Sequence, residues 1–159
     1  MSVSATKIAC GIEYLGTQYC GWQLQDNNLS IQGAVEDAIS KVANESIRVF
    51  ASGRTDSGVH ARGQVLHFIT SASRTHNQWQ EGINTYLPND VNILWVKEVP
   101  NEFDARRSAL SRTYQYFILN TASKNVFAFN RALFIDQELE LDLMKGACSH
   151  FIGSHNFSS

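Results

Sequence analysis

The order in which alternating and helical stretches succeed one another constrains this chain more than any other property. Residues 7–14 alternate, placing Ile8, Cys10, Ile12 and Tyr14 on one face of a strand. The polar and aromatic stretch 15–29 has no period. Ser30 stands where an N-cap belongs, ahead of a helix whose Ile31, Val35, Ala38, Ile39 and Val42 share one stripe. Residues 47–50 and 64–69 read as a second and third strand. Residues 76–87 read as a second helix carrying Trp79, Ile83, Tyr86 and Leu87, stopped by Pro88-Asn89-Asp90. Residues 91–99 form a fourth strand, closed by Pro100. The order β-α-β-β-α-β is that of the split βαβ, or ferredoxin-like, unit. The expected fold class is therefore α+β, with a mixed or antiparallel sheet, and a first domain over residues 6–100.

A second unit of similar kind is expected to begin in residues 101–159. Residues 113–119 alternate as a strand with Tyr114, Tyr116 and Ile118 on one face, and Leu141, Met144, Cys148 and Phe151 have helical spacing. A strand and a helix alone do not complete a sheet layer. The expectation is a chain cut within its second unit, and inactive as an enzyme on its own.

Composition narrows the class further. A hydrophobic fraction of 43 % and an aromatic fraction of 11 % support a core and exclude a disordered or collagen-like chain. No apolar run approaches the roughly 18 residues of a membrane span. The first residues lack a basic stretch followed by an apolar one, so no secretory signal is read. Cys10, Cys20 and Cys148 are too few and too far apart for a disulfide framework or a zinc knuckle. A reduced, cytoplasmic protein without membrane contact is the simplest reading. A net charge of −2 argues against an overall basic coat but not against local basic patches.

The chemistry concentrates between strands two and three. Their connection, residues 51–63, is about 13 residues long, against the 2–5 usual for a hairpin. It reads Gly53-Arg54-Thr55-Asp56-Ser57-Gly58-Val59-His60-Ala61-Arg62-Gly63. In an extended backbone Arg54 and Asp56 point the same way, and a guanidinium beside that carboxylate would keep it ionised. The result is an oriented, charged carboxylate on a glycine-hinged loop. The same residues are equally ordinary turn chemistry with a solvated arginine. Asp56-Ser57-Gly58 also matches the Asp-Ser/Thr-Gly signature of aspartic proteases. That reading fails on its surroundings, because two carboxylates sharing a proton are opposed by a neighbouring cation and the helices are foreign to a β-rich protease.

Residues 53–61 resemble the active-site signature of the tRNA pseudouridine synthase A family. The resemblance continues in order through Gly11-Ile12-Glu13-Tyr14, Gly21-Trp22-Gln23, Gly63-Gln64-Val65-Leu66-His67-Phe68, Leu87-Pro88 with Asp90-Val91, Phe103-Asp104-Ala105-Arg106, Ser108-Ala109 and Arg112-Thr113-Tyr114. It implies that Asp56 is the catalytic aspartate, Arg54 its ion-pair partner and Tyr114 the active-site tyrosine. It further implies isomerisation of uridine at positions 38–40 of the tRNA anticodon arm, by a homodimer of two ferredoxin-like halves, with neither cofactor nor metal.

The residue types agree with that chemistry. A carboxylate serves as nucleophile or as stabiliser of an oxocarbenium-like sugar, and leaves again. The target base must be flipped from its stack. Tyr114 suits either stacking on that base or removal of the carbon-five proton. Arg62, His60, Arg106, Arg107 and Arg112 are candidate RNA contacts, although basic residues also occur as plain solvated surface. Six residues separate His60 from His67, which is not a zinc-ligand pattern. Trp79 and Trp95 are expected in the core rather than stacked on bases, while Tyr19 and Trp22, in a loop, fit either role. The alternative of another class is a non-catalytic RNA-binding module on the same framework, in which Arg54 and Asp56 would be idle.

Overall fold

Burial follows the alternation at the start of the chain. Strand β1, Thr6–Tyr14, buries Ile8, Cys10, Ile12 and Tyr14 on one face. The computed structural model describes residues 5–158 and divides into two compact units, with the boundary between Arg112 and Thr113.

In the first unit β1 is followed by α1 (Ile31–Ala43), β2 (Phe50–Ala51), β3 (Ala61–Thr70), α2 (His76–Tyr86) and β4 (Val91–Val99). The sheet order is β2-β3-β1-β4, and every neighbouring pair is antiparallel. This is an α+β unit. Register sets Ile8 opposite Phe68 and Cys10 opposite Leu66, so the apolar faces of β1 and β3 coincide. Strand β4 adds Val91, Ile93 and Val96 to the core, with a register shift opposite Gly11 and Ile12. Asn84 and Gln80 hold that irregular stretch, both donating to the Ile93 carbonyl, while Asn84 Oδ1 accepts from the Ile93 amide.

The helices start and stop where their caps stand. Ser30 Oγ accepts from the Gly33 amide at 3.2 Å, and Asn44 ends α1 in the left-handed region at φ 55°. Thr75 and Gln78 form a reciprocal capping box at the start of α2. Ile31, Val35, Ala38 and Ile39 of α1 and Trp79 and Ile83 of α2 are buried, with Phe68 meeting Trp79 edge-on at 5.4 Å. Burying each such side chain contributes about 1.5–3 kcal/mol. Tyr86, expected on the same stripe, is exposed, and Lys41 Nζ lies 5.5 Å from its ring centre.

Two strands differ from expectation in the first unit. Strand β2 pairs only at Phe50 and Ala51 instead of spanning 47–50. Ile47 and Val49 are still buried, but the Ile47 amide donates to Ser40 Oγ and the Val49 amide to Glu36 Oε1. These two contacts tie the segment ahead of the short strand to side chains of α1. Strand β3 begins at Ala61, three residues early, so the connecting loop is residues 52–60.

Residues 101–112 pack on the sheet of the same unit. Lys7 Nζ donates to the carbonyls of Asn101 and Phe103, and the Ala105 amide donates to His67 Nδ1 at 3.1 Å. His67 stacks on Phe50 and receives the edge of Phe103.

In the second unit, β5 (Ile118–Asn120) pairs in parallel with β6 (Leu133–Ile135), followed by α3 (Leu141–Cys148). The strand expected over 113–119 is thus confined to its end. Residues 113–117 have no ladder partner among the described residues, and Tyr114 and Tyr116 are exposed. Alternation marks a possible strand face, but only partner hydrogen bonds make a strand. Phe151 lies beyond α3 in a short 3₁₀ turn, and none of the described residues of this unit is buried.

Candidate active site

The loop 52–60 is held by the chain that precedes α1. The first amides of a helix have no partner within it, and here those of Ile31 and Gln32 donate to the carbonyls of Gly21 and Trp22. Trp22 in turn donates its amide to the Thr55 carbonyl at 2.9 Å. The Tyr19 carbonyl accepts from Ser57 Oγ and from the Gly58 amide. Gly16 donates its amide to His60 Nδ1 at 2.9 Å. From below, Tyr14 Oη lies 2.8 Å from Thr55 Oγ1, and Gln64 Nε2 donates to the Gly53 carbonyl. The tip closes as a turn, with the Val59 amide on the Asp56 carbonyl and Gly58 at φ +78°, a conformation that favours glycine.

This bracing presents Arg54 and Asp56 to solvent while Thr55 between them faces inward. The period of two is kept, yet the ion pair expected between them is not made. Among the described residues the salt bridges are Lys41–Asp37 and Lys145–Asp142. The Arg54 and Asp56 side chains are both exposed, and holding two exposed charges in one geometry costs side-chain entropy.

The candidate RNA contacts fall at several places. Arg62 is exposed on β3, and His60 is tied into the loop by Gly16. Arg112 lies against the base of the loop, its guanidinium donating to the Ser52 carbonyl at 2.7 and 3.2 Å and to the Arg106 carbonyl at 3.1 Å. Arg106 and Arg107 are exposed, and their backbone amides donate to Asp104 Oδ1. The Arg107 amide foremost holds the Asp104 carboxyl below its ordinary range. Tyr114 belongs to the second unit and is exposed. No group of three or more His, Cys, Asp or Glu side chains among the described residues could hold a metal ion, and no helix is long and apolar enough to cross a membrane.

The aromatics are sorted by the same contacts. Tyr19, Trp22 and Trp79 are buried. Tyr19 Oη donates to Asp90 Oδ1 at 2.6 Å, and burial, with Asp90 beside it, raises the phenol above its usual pKa. Trp95, expected in the core, is half-buried and lies across the backbone of Gly11, where a side chain would meet its indole nitrogen. Its side of the sheet is set by the register shift in β4, which has no signature in the alternation of 91–99. The supporting residues Tyr14 and Gln64 were not legible as site residues. Each reads as an ordinary strand position, and their partners are 41 and 11 residues away.

The segment before α1 and the strand residues Tyr14 and Gln64 commit their hydrogen bonds to one charged loop, and the first unit is organised around it. A family model described as tRNA pseudouridine synthase matches residues 11–106. The chain is 45 % identical over 148 residues to tRNA pseudouridine synthase A of Francisella tularensis subsp. holarctica (strain OSU18), covering 93 % of this chain and 57 % of that protein. It is 45 % identical over 153 residues to tRNA pseudouridine synthase A of Pseudoalteromonas atlantica, covering 96 % and 58 % respectively. The chain belongs to the tRNA pseudouridine synthase family. It spans less than two thirds of the length of these curated relatives.

Proposed function

We propose that this chain carries the catalytic loop of an enzyme that isomerises uridine to pseudouridine at positions 38–40 of the tRNA anticodon arm, with Asp56 as nucleophile. The observation that carries this reading is the presentation of the Asp56 carboxylate to solvent on a loop whose backbone is pinned on both sides of it. A pinned, exposed carboxylate can meet a large substrate without reorganising.

In the reaction, an Asp56 oxygen bonds to C1′ as the C1′–N1 bond breaks, and its electron pair leaves on the uracil. The uracil turns and C5 bonds to C1′, displacing the carboxylate. The C5 proton is then lost and N1 gains one. Atoms and electrons balance within the nucleotide, so the reaction calls on no cofactor. The detached base must be kept from water while it turns. Arg54, on the same solvent-facing side as Asp56, supplies positive charge to the carboxylate and the reacting sugar. Tyr114 is assigned to the target base. Arg62, His60, Arg106, Arg107 and Arg112 are assigned to the RNA backbone, where arginine pairs well with phosphate.

The sheet order and its antiparallel pairing support a ferredoxin-like first unit. The family resemblance supports a homodimer working on tRNA in the cytoplasm. The test is to map pseudouridine in unmodified tRNA treated with the complete gene product. Conversion confined to positions 38–40 is expected. Conversion elsewhere would contradict the anticodon-arm assignment, and none at all would contradict the activity.

A further inference from the structure

We propose that Tyr14 is a positioning residue for Asp56, acting through a hydrogen-bond relay that ties together the backbone on either side of Arg54. The inference rests on the reading of Asp56 as the reacting carboxylate. Tyr14 ends β1 with its ring buried by the same alternation that buries Ile8, Cys10 and Ile12. Its hydroxyl donates to Gln64 Oε1 at 2.8 Å and lies 2.8 Å from Thr55 Oγ1. Gln64 Nε2 donates to the Gly53 carbonyl at 3.1 Å.

The donors in this chain assign themselves. A carbonyl can only accept, so the amide of Gln64 must turn its nitrogen to Gly53 and its oxygen to Tyr14. The single phenolic proton of Tyr14 is then committed to Gln64, and the Thr55 hydroxyl donates to Tyr14 Oη. The relay runs from Thr55 through Tyr14 and Gln64 to Gly53, with one rigid aromatic ring at its centre. Bonds in such a series reinforce one another in a partly dry environment. Burial also raises the phenol pKa, so the proton the relay needs stays in place through the neutral range.

The geometric consequence falls on Asp56. Thr55 is fixed by its side chain from below and by its carbonyl, which accepts the Trp22 amide, from the other loop. Asp56 is the next residue, and the direction of its Cα–Cβ bond follows from the Thr55 peptide. Without the Tyr14 hydroxyl, the Thr55 side chain loses its anchor and Gln64 loses the partner that orients it.

Tyr14→Phe keeps the ring and its contact with Trp22 while removing one oxygen. In the complete gene product, kcat for pseudouridine formation is expected to fall by about 10- to 100-fold, with KM for tRNA changed less than about twofold, since misplacement of a reacting group by about 1 Å costs up to about 100-fold. Thr55→Val should lose rate similarly, Thr55→Ser should recover it, and Tyr14→Phe combined with Thr55→Val should be no worse than either alone. A Tyr14→Phe protein with parent kcat, or one whose kcat and KM both worsen, would overturn the positioning role even if its melting temperature fell. Asp56→Ala is run alongside. Activity surviving that change would overturn the underlying reading, whereas activity lost with Asp56→Ala but kept with Tyr14→Phe would overturn this inference alone.

Discussion

A side chain beginning on Gly21 would stand 2.5 Å from the carbonyl oxygen of Thr55, closer than any real contact of that kind. Gly21 also has φ +84°. The loop before α1 and the loop bearing Asp56 therefore touch backbone to backbone, and only glycine permits it. Gly21→Ala is expected to cost at least about 1–2 kcal/mol from the left-handed backbone alone, with more from displacement of Thr55. Urea denaturation measures the first effect. Loss of hydrogen-exchange protection at the Trp22 amide, which donates to Thr55, reports the second.

His67 makes the packing of residues 101–112 sensitive to acid. Burial lowers its pKa below the ordinary 6.5, while Asp104 acts in the opposite sense and Lys7 in the same sense. Above about pH 6.5 the imidazole is neutral in both folded and unfolded chains and contributes no pH dependence. As pH falls below that value the unfolded chain takes up the proton first, so stability declines until the folded histidine is also protonated. Protonation removes the lone pair that accepts from Ala105. The urea midpoint should fall between pH 7 and 5 in the parent and fall less in His67→Gln.

Among the described residues Arg54 makes no ion pair, and its side chain is exposed. Arg54→Leu is expected to reduce kcat by more than tenfold while changing tRNA affinity by less than about threefold. Single-turnover rates and filter binding separate the two. An affinity loss as large as the rate loss would make Arg54 a phosphate clamp instead.

Arg106 and Arg107 use their backbone amides on Asp104 and keep their side chains exposed. If both contact phosphate, replacing each by Ala should lower the slope of log affinity against log salt by nearly one. Binding titrations over a range of salt concentrations check this.

Much of the first unit was legible because its signals are local. Ser30 and Pro88 bound the helices, and the alternation in β1 marks the face that carries Ile8, Cys10, Ile12 and Tyr14. What was not legible depends on groups far apart in sequence. Strand β2 pairs only at Phe50 and Ala51, and just ahead of it Glu36 and Ser40 bind the amides of Val49 and Ile47, contacts no periodicity reveals. The placement of Trp95 follows from a register shift against β1. Spacing alone put Arg54 and Asp56 on one side, but whether two exposed charges pair is decided by packing around them. Tyr14 shows only alternation in the sequence, and its hydroxyl joins the candidate site through Thr55 and Gln64.

The most direct test of the account is tritium release from tRNA labelled at carbon five of uracil, because that hydrogen departs only if carbon five becomes the glycosidic atom. The complete gene product should release tritium, and Asp56→Asn, nearly the same shape without the charge, should release none above background while binding tRNA within about threefold of the parent. Release by Asp56→Asn at the parent rate would contradict the assignment of Asp56 as the nucleophile.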